Sequence, residues 1–323
     1  MKTFVGFGAL NLDLIFEVED LSSISTDRIP LNSGEERFGT EGDFQSLLER
    51  LNQVGTLKSK SGGGSAANTT VALARMGFQS TFIGKVGEDK EGDFLLKQMR
   101  PVRTHLIRRG QRSGICLVVL DRRQDRFLFV TGNANEALTM DDINPDDIND
   151  LSWVHLSSFI GEASFEVQKT LLGCLESSVK VSLDPGEIYA KKGLKAIRPL
   201  IQRCHILFIT EREIQLLTGL GLPGGTRSLM EMGPSVLVCK RGSRGSTVFS
   251  DAGNFEVPVV QAEVVDNTGA GDVYNAGFLA GFFLGRSLEG CAHFAAKVAA
   301  KSVTGYGRDC YPTEEDLRNF FPE

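Results

Sequence analysis

Short runs rich in β-branched and aromatic residues alternate along this chain with longer stretches whose apolar residues recur every three or four positions. The short runs predict strands at Thr3–Gly8, Ser80–Val86, Trp153–Ser157, Val179–Leu183, Ile206–Ile209 and Val236–Cys239. The longer stretches predict helices at Ser65–Met76, Lys90–Met99, Phe165–Glu176, Leu194–Ile201, Arg212–Thr218, Gly271–Leu284, Leu288–Val303 and Glu314–Phe320. This alternation is the pattern of a layered α/β domain with a largely parallel central sheet. In the helix that opens at Leu288, Cys291, Ala292, Ala295, Ala299, Ser302 and Val303 share one stripe, which reads as core.

Two stretches break the pattern. Leu14–Val18 alternates apolar and acidic residues, and Ile115–Leu120 and Arg126–Val130 flank the polar Asp121–Asp125 as the arms of a hairpin would. They predict a small β-sheet lid, residues 14–61 and 103–130, on a large domain of residues 1–13, 62–102 and 131–323. Pro30–Ser61 reads as polar and Gly-containing, with one helical patch around Phe44–Leu51. The lid is expected to close over substrate and to pair two subunits as a homodimer through an exposed apolar face.

Charge and composition narrow the function. A formal net charge of −6 over 323 residues argues against a nucleic-acid or anionic-membrane partner, because both need a basic field. The apolar run Val273–Leu284 is too short to span a bilayer. Phe4–Leu10 runs into Asp13, Glu17, Glu19 and Asp20 without a cleavage-site pattern and so reads as a strand. Six scattered cysteines with no CxxC read as reduced thiols, and the expected setting is cytoplasmic.

Two segments carry chemistry. In Asp266-Asn267-Thr268-Gly269-Ala270-Gly271-Asp272 the small residues let backbone approach a ligand, and the N–H groups that open the following helix make an anion hole. Asp272, in the first helical turn, is placed to take a hydroxyl proton as that oxygen attacks a phosphoryl group. The plainer alternative is a Gly-rich turn with a capping Asp. In Gly62-Gly63-Gly64-Ser65-Ala66-Ala67-Asn68, Ser65 can cap a helix that Gly77 ends, and the Asn68 amide offers the donor and acceptor needed to hold sugar hydroxyls.

Together these segments resemble the two signatures of the ribokinase (PfkB) family of carbohydrate and nucleoside kinases. Asn11, Asp13, Asp184-Pro185-Gly186, Glu213 and Gly242-Ser243-Arg244-Gly245 fall in the order of that family. The resemblance implies a ribokinase-like three-layer α/β/α domain with a β-sheet lid. It also implies transfer of the ATP γ-phosphate to a primary hydroxyl, a need for Mg²⁺, and the K⁺ response of many members. Asp272 resembles the catalytic base, and Gly269, Ala270 and Gly271 the anion hole. Asn11, Asp13, Gly63, Gly64 and Asn68 match substrate contacts; Thr210, Gly242, Gly245 and Asn275 match the nucleotide side. Glu213 matches an acid that orders Mg²⁺ through water, and Asp266 and Thr268 a monovalent-cation site. Thr210 stands where the family has Asn, and Asn267 where it has Thr or Ser.

Other readings are weaker. Gly6-Phe7-Gly8-Ala9-Leu10-Asn11 half-matches a dinucleotide fingerprint but lacks its third Gly, and no P-loop occurs. A non-catalytic sugar or nucleotide sensor would have no use for Asp272. Gly277 and Gly281 read as close packing to a sheet, His155 and His293 as structural, and Lys240-Arg241 either neutralises ATP phosphate or is solvated. A free sugar leads as the acceptor, with a nucleoside as the alternative, whose base Phe38, Phe44, Phe127 and Phe129 could line.

Overall fold

Stretches such as Ile206–Thr210 and Val236–Lys240 are apolar on both faces, the condition for a sheet covered by helices on either side. The computed structural model describes residues 3–25, 29, 34–122, 126–144 and 151–322. Among these, nine strands form the large sheet. Their order is Gly253–Val257, Ser246–Ser250, Val236–Lys240, Ile206–Thr210, Lys180–Asp184, Trp153–Ser157, Phe4–Phe7, Ser80–Gly87 and Ile107–Gly110. All neighbours are parallel except the hairpin of the first two, which pairs antiparallel with Val236–Lys240. Helices Ser65–Arg75, Ala270–Phe283 and Leu288–Ser302 cover one face, and Glu162–Cys174, Leu194–Arg203 and Glu211–Thr218 the other, each closing a core. This is the three-layer α/β/α arrangement.

Two helices escaped the sequence reading, Gly186–Lys192 and Leu222–Met230. The second opens Leu-Pro-Gly-Gly, a turn-like composition. Pro223 is tolerated in the first turn, and Gly225 is needed because a Cβ there would lie 2.4 Å from Ile214 Cγ2. Gly277 and Gly281 pack against a helix rather than a sheet: a Cβ on Gly277 would meet Val298 Cγ2 at 2.6 Å, and one on Gly281 Cys291 Sγ at 3.0 Å.

The lid is a second sheet, ordered Glu36–Phe38, Arg126–Thr131, Gly114–Leu120, Asn11–Glu17 and Thr56–Gly63. Its boundary differs from the expected one, since Ile107–Gly110 pairs with Gly84–Gly87 in the large sheet and its lid strand begins only at Gly114. Pro30–Ser61 is more ordered than its polarity suggested. It holds two lid strands and the helix Glu41–Val54, whose N-terminus Thr40 and Asp43 close with a reciprocal capping box. Residues 30–33 of that segment and 123–125 of the expected hairpin turn lie outside the described residues.

Among the described residues most apolar side chains of the lid strands are buried, and Phe38 and Leu57 are exposed. Ile15, Cys116, Val118, Leu120 and Val130 are buried on one side, and Phe127 and Phe129 on the other beneath Phe44 and Leu47 of the helix Glu41–Val54. The aromatic slot expected from Phe44, Phe127 and Phe129 is therefore core, and Phe38 is exposed. All six cysteines are free thiols. Among the described residues no helix is long and apolar enough to cross a membrane.

Candidate active site

Asp184, Thr210 and Lys240 are the last residues of three adjacent parallel strands, so their side chains emerge at one end of the sheet. Open α/β sheets place their ligands outside such strand ends. Here the lid roofs that end and encloses a cavity of about 450 Å³ lined by Asp13, Asn68, Asp184, Glu213, Lys240 and Asp272, among others.

Gly269 takes a left-handed φ of 77° and turns the chain into the helix Ala270–Phe283, whose first turn carries Asp272. The Ala270 and Asp272 N–H groups donate to the carbonyls of Asn267 and Gly269, at 3.3 and 3.0 Å. The Gly271 N–H makes no backbone bond among the described residues and stays available at the helix mouth. Asp272 is held from the facing helix: Ser65 Oγ donates to one carboxylate oxygen at 2.5 Å and Asn68 Nδ2 to the other at 2.9 Å. Ser65 thus does not cap its own helix, whose N-cap is Gly64. Burial, helped by the charge of Asp184, pushes the Asp272 pKa up to about 6; the Ser65 and Asn68 bonds and Lys240 work the other way.

The di-glycine loop makes room for Asp13. A Cβ on Gly63 would lie 2.1 Å from both Asp13 carboxyl oxygens, and Gly64, at φ 98°, would drive a Cβ to 2.0 Å from the Ala9 carbonyl oxygen. Burial and then the charges of Asp266, Asp272 and Glu36 raise Asp13 to about 8, against Arg308. Burial thus favours the protonated form of Asp13, which can donate as well as accept. Asn11 Oδ1 accepts from Asn135 Nδ2 at 2.9 Å, and Asn135 also bonds both backbone groups of Leu10, which pins the strand entry. Gly63→Ala is expected to raise the acceptor KM about 10-fold or more with the ATP KM little changed, since overpacking at about 1–3 kcal/mol falls on Asp13 alone; steady-state kinetics with each substrate varied would measure this.

At the opposite end Lys240 Nζ pairs with Asp184, which also accepts from Asn275 Nδ2 at 2.6 Å. Burial opposes ionisation of Asp184, but Lys240 and these bonds hold it below the usual carboxylate range. Lys240 belongs to the site, whereas Arg241 is committed to Glu211 and Glu256. Asn275, matched to the nucleotide side in sequence, is fully buried behind Asp184 and lines neither this cavity nor the next. Thr210 caps the helix Glu211–Thr218 reciprocally with Glu213, and burial with the Asp184 charge raises the Glu213 pKa.

A second cavity of about 400 Å³ adjoins the first through Lys240, Gly242, Asn267 and Gly271. Its walls are mostly apolar, with Val260, Val264, Ala296, Ala299 and Val303, and Gly245, Ala270, Gln261 and Tyr274 also line it. Gly245 must be glycine: its φ is 79°, and a Cβ would lie 2.0 Å from the Val257 carbonyl oxygen. Asp266 faces away from both cavities, its oxygens accepting from the Thr268 and Gly307 N–H groups at 2.9 and 3.0 Å.

One residue of the site carried no sequence signal. Arg308 is 3% exposed, donates from Nε to Asn68 Oδ1 at 3.0 Å, and from its terminal nitrogens to the carbonyls of Gln98 and Gly63. It fixes which way the Asn68 amide faces, so that Nδ2 is the atom turned to Asp272. The fully buried His155 bonds Ser182 and packs between the rings of Phe4 and Phe208.

A family model described as pfkB family carbohydrate kinase matches residues 40–314. A protein named an uncharacterized sugar kinase from Archaeoglobus fulgidus is 32% identical over 250 residues, 76% of this chain and 100% of its own length. The solved structure of adenosine kinase from Sinorhizobium meliloti superposes with a TM-score of 0.87 at 19% identity, over 98% of this chain and 99% of that one. A putative ribokinase II from E. coli, solved in complex with ATP and Mg²⁺, superposes with a TM-score of 0.80 at 19% identity, over 99% of both chains.

Proposed function

The chain belongs to the pfkB family of carbohydrate kinases, an ATP-dependent sugar or nucleoside kinase, and from that premise we propose that Asp272 is the general base for phosphorylation of a hydroxymethyl group. The observation that carries this reading is the position of Asp272: it lines the first cavity next to Gly271, which both cavities share, with both oxygens oriented by Ser65 and Asn68.

The apolar second cavity suits the base and ribose of ATP, so its phosphates reach the junction at Gly242, Gly271 and Lys240. There the Gly271 N–H and the Lys240 ammonium stabilise charge on the transferring phosphoryl group. Asp13 and Asn68 hold acceptor hydroxyls, which aims the primary oxygen at phosphorus, and Asp272 takes its proton as the P–O bond to the acceptor forms and ADP leaves. A carboxylate is a weak base, and a loose transition state asks little of it.

The donors fit Mg²⁺ carried on phosphate rather than a metal held by protein alone: the described residues contain no cluster of three His, Cys, Asp or Glu that could hold a metal. Asp184 and Glu213 lie near the junction, and one or two carboxylates plus phosphates are what Mg²⁺ takes. When bound, the ion neutralises developing phosphate charge. Glu213→Gln is expected to raise the Mg²⁺ concentration for half-maximal rate severalfold; an unchanged titration would remove Glu213 from that role. Thr210→Asn should leave it equal or lower, because Asn caps a helix as well as Thr. Asp266 and Thr268 are the proposed monovalent-cation residues: Thr268 Oγ1 is buried with no hydrogen-bond partner among the described residues. The test of the reading is ADP release in the presence of an acceptor, lost in Asp272→Asn.

A further inference from the structure

We propose that Asn135 is a positioning residue that sets which end of the Asn11 amide faces the acceptor. The orientation is a property of the fold; only its consequence for turnover rests on the kinase reading. Asn135 lies in the 3₁₀ turn Asn133–Ala137 that follows the lid strand Arg126–Thr131, is 2% exposed and borders the first cavity. Its Oδ1 accepts from the Leu10 N–H at 2.9 Å, and its Nδ2 donates to the Leu10 carbonyl and to Asn11 Oδ1, each at 2.9 Å. A backbone N–H only donates and a carbonyl only accepts, so Leu10 dictates the orientation of the Asn135 amide. The second N–H of that amide then dictates the orientation of Asn11, whose oxygen must turn to it. The Asn11 Nδ2 is left as the free end: it has no bond among the described residues, and Asn11 lines the cavity.

Neighbouring segments hold both amides in place. Ser164 Oγ, from the helix Glu162–Cys174 of the large domain, donates to the Asn135 carbonyl. Asn133 has a φ of 47° and is the one non-glycine residue with a left-handed φ among the described residues. Its Nδ2 donates to the Ser113 carbonyl at 2.9 Å, and the Ala134 N–H to that of Arg112 at 2.8 Å. These bonds bring Gly114, the first residue of the lid strand Gly114–Leu120, against the two asparagines. A Cβ on Gly114 would lie 2.3 Å from Asn135 Nδ2 and 2.4 Å from Asn11 Oδ1, so glycine there leaves the bond between them its room. Asn11 and Asp13 share the cavity face of one strand by alternation. An Asn11 N–H given to an acceptor hydroxyl oxygen leaves that hydroxyl's own proton for an Asp13 oxygen, so the two side chains act on one group without competing. A reversed amide would accept that proton itself and set Asn11 against Asp13. Asn135 has no N–H left for substrate, since both Nδ2 hydrogens are committed to Leu10 and Asn11. Arg308 acts in the same way on Asn68, whose Nδ2 is likewise the end turned to the site.

Two measurements test this. Side-chain amide hydrogen exchange, followed by NMR on the ligand-free protein, needs no acceptor: both Nδ2 protons of Asn135 are bonded and should exchange at least about 10-fold more slowly than those of Asn11. Equal rates or the reverse order overturn the proposal. ADP release with ribose, fructose, adenosine and cytidine then gives the acceptor with the highest kcat/KM. With that acceptor, Asn135→Ala and Gly114→Ala should each raise the acceptor KM at least about 10-fold while the KM for ATP stays within about twofold. The first removes the orienting amide and the second pushes the two amides apart, so either serves if melting temperatures show that the other does not fold. In an Asn11→Ala background both substitutions should change the acceptor KM by less than about twofold, because the group they act through is gone. An acceptor KM that still rises about 10-fold in that background, or a KM for ATP that rises with it, makes Asn135 a structural residue only. If none of these acceptors yields ADP, the kinase reading fails for them, and the exchange rates still decide how Asn11 faces.

Discussion

Replacing Asp272 by Asn is expected to lower kcat at least about 100-fold while the KM for ATP stays within about twofold. The substitution keeps the size of the side chain and an oxygen that can still accept from Ser65 or Asn68, so the site should keep its shape and lose only the proton acceptor. The pH dependence gives a second readout. The Asp272 pKa is pushed up to about 6, and a general base works only when deprotonated, so kcat/KM of the unmodified enzyme should rise as pH increases through about 6 and then level off. The Asn variant should lack that limb. A near-normal kcat in Asp272→Asn would end the assignment of Asp272 as base.

Arg308 should have the next largest effect, through two substitutions that do different things. Arg308→Met removes a buried cation facing Asp13 and leaves Asn68 and two carbonyls without their donor, a change on the order of 3–5 kcal/mol visible as a large fall in melting temperature. Arg308→Lys keeps the charge, but a single ammonium cannot reach the three separated acceptors that the guanidinium meets from three different nitrogens. The Asn68 amide is then free to turn, and its donation to Asp272, which holds that pKa down, is lost. The Asp272 pKa should therefore rise, the acidic limb of the profile move to higher pH, and kcat fall about 10-fold. A melting temperature that drops while the limb stays in place would make Arg308 a structural residue only.

The legible and illegible parts of the site differ in range. The loop-to-helix segments at Gly62–Asn68 and Asp266–Asp272 could be read because close backbone approach and a helix opening demand small residues at consecutive positions, and consecutive residues are what a sequence displays. Thr210 and Glu213 were visible as a pair, yet only the structure shows that Thr210, standing where the family has Asn, caps the helix reciprocally with Glu213. Lys240 left two readings open because a lysine beside an arginine looks the same whether it is solvated or buried against a carboxylate from the neighbouring strand's end.

Alternation of apolar strands and amphipathic helices determined the layered fold, and the small-residue segments marked the two loop-to-helix junctions that the structure brings to the cavity. Periodicity and glycine placement are local properties, written within a few residues of where they act. Tertiary structure alone decided that Arg308 orients Asn68, 240 residues earlier, and that Asn275 stands behind Asp184. It alone turned Phe44, Phe127 and Phe129 into core while Glu36 and Arg126 face the cavity. In a strand each successive side chain changes face, and which face becomes core depends on which helix covers it. Here the helix Glu41–Val54 covers one face, and Asp13, Glu36 and Arg126 on the other line the cavity.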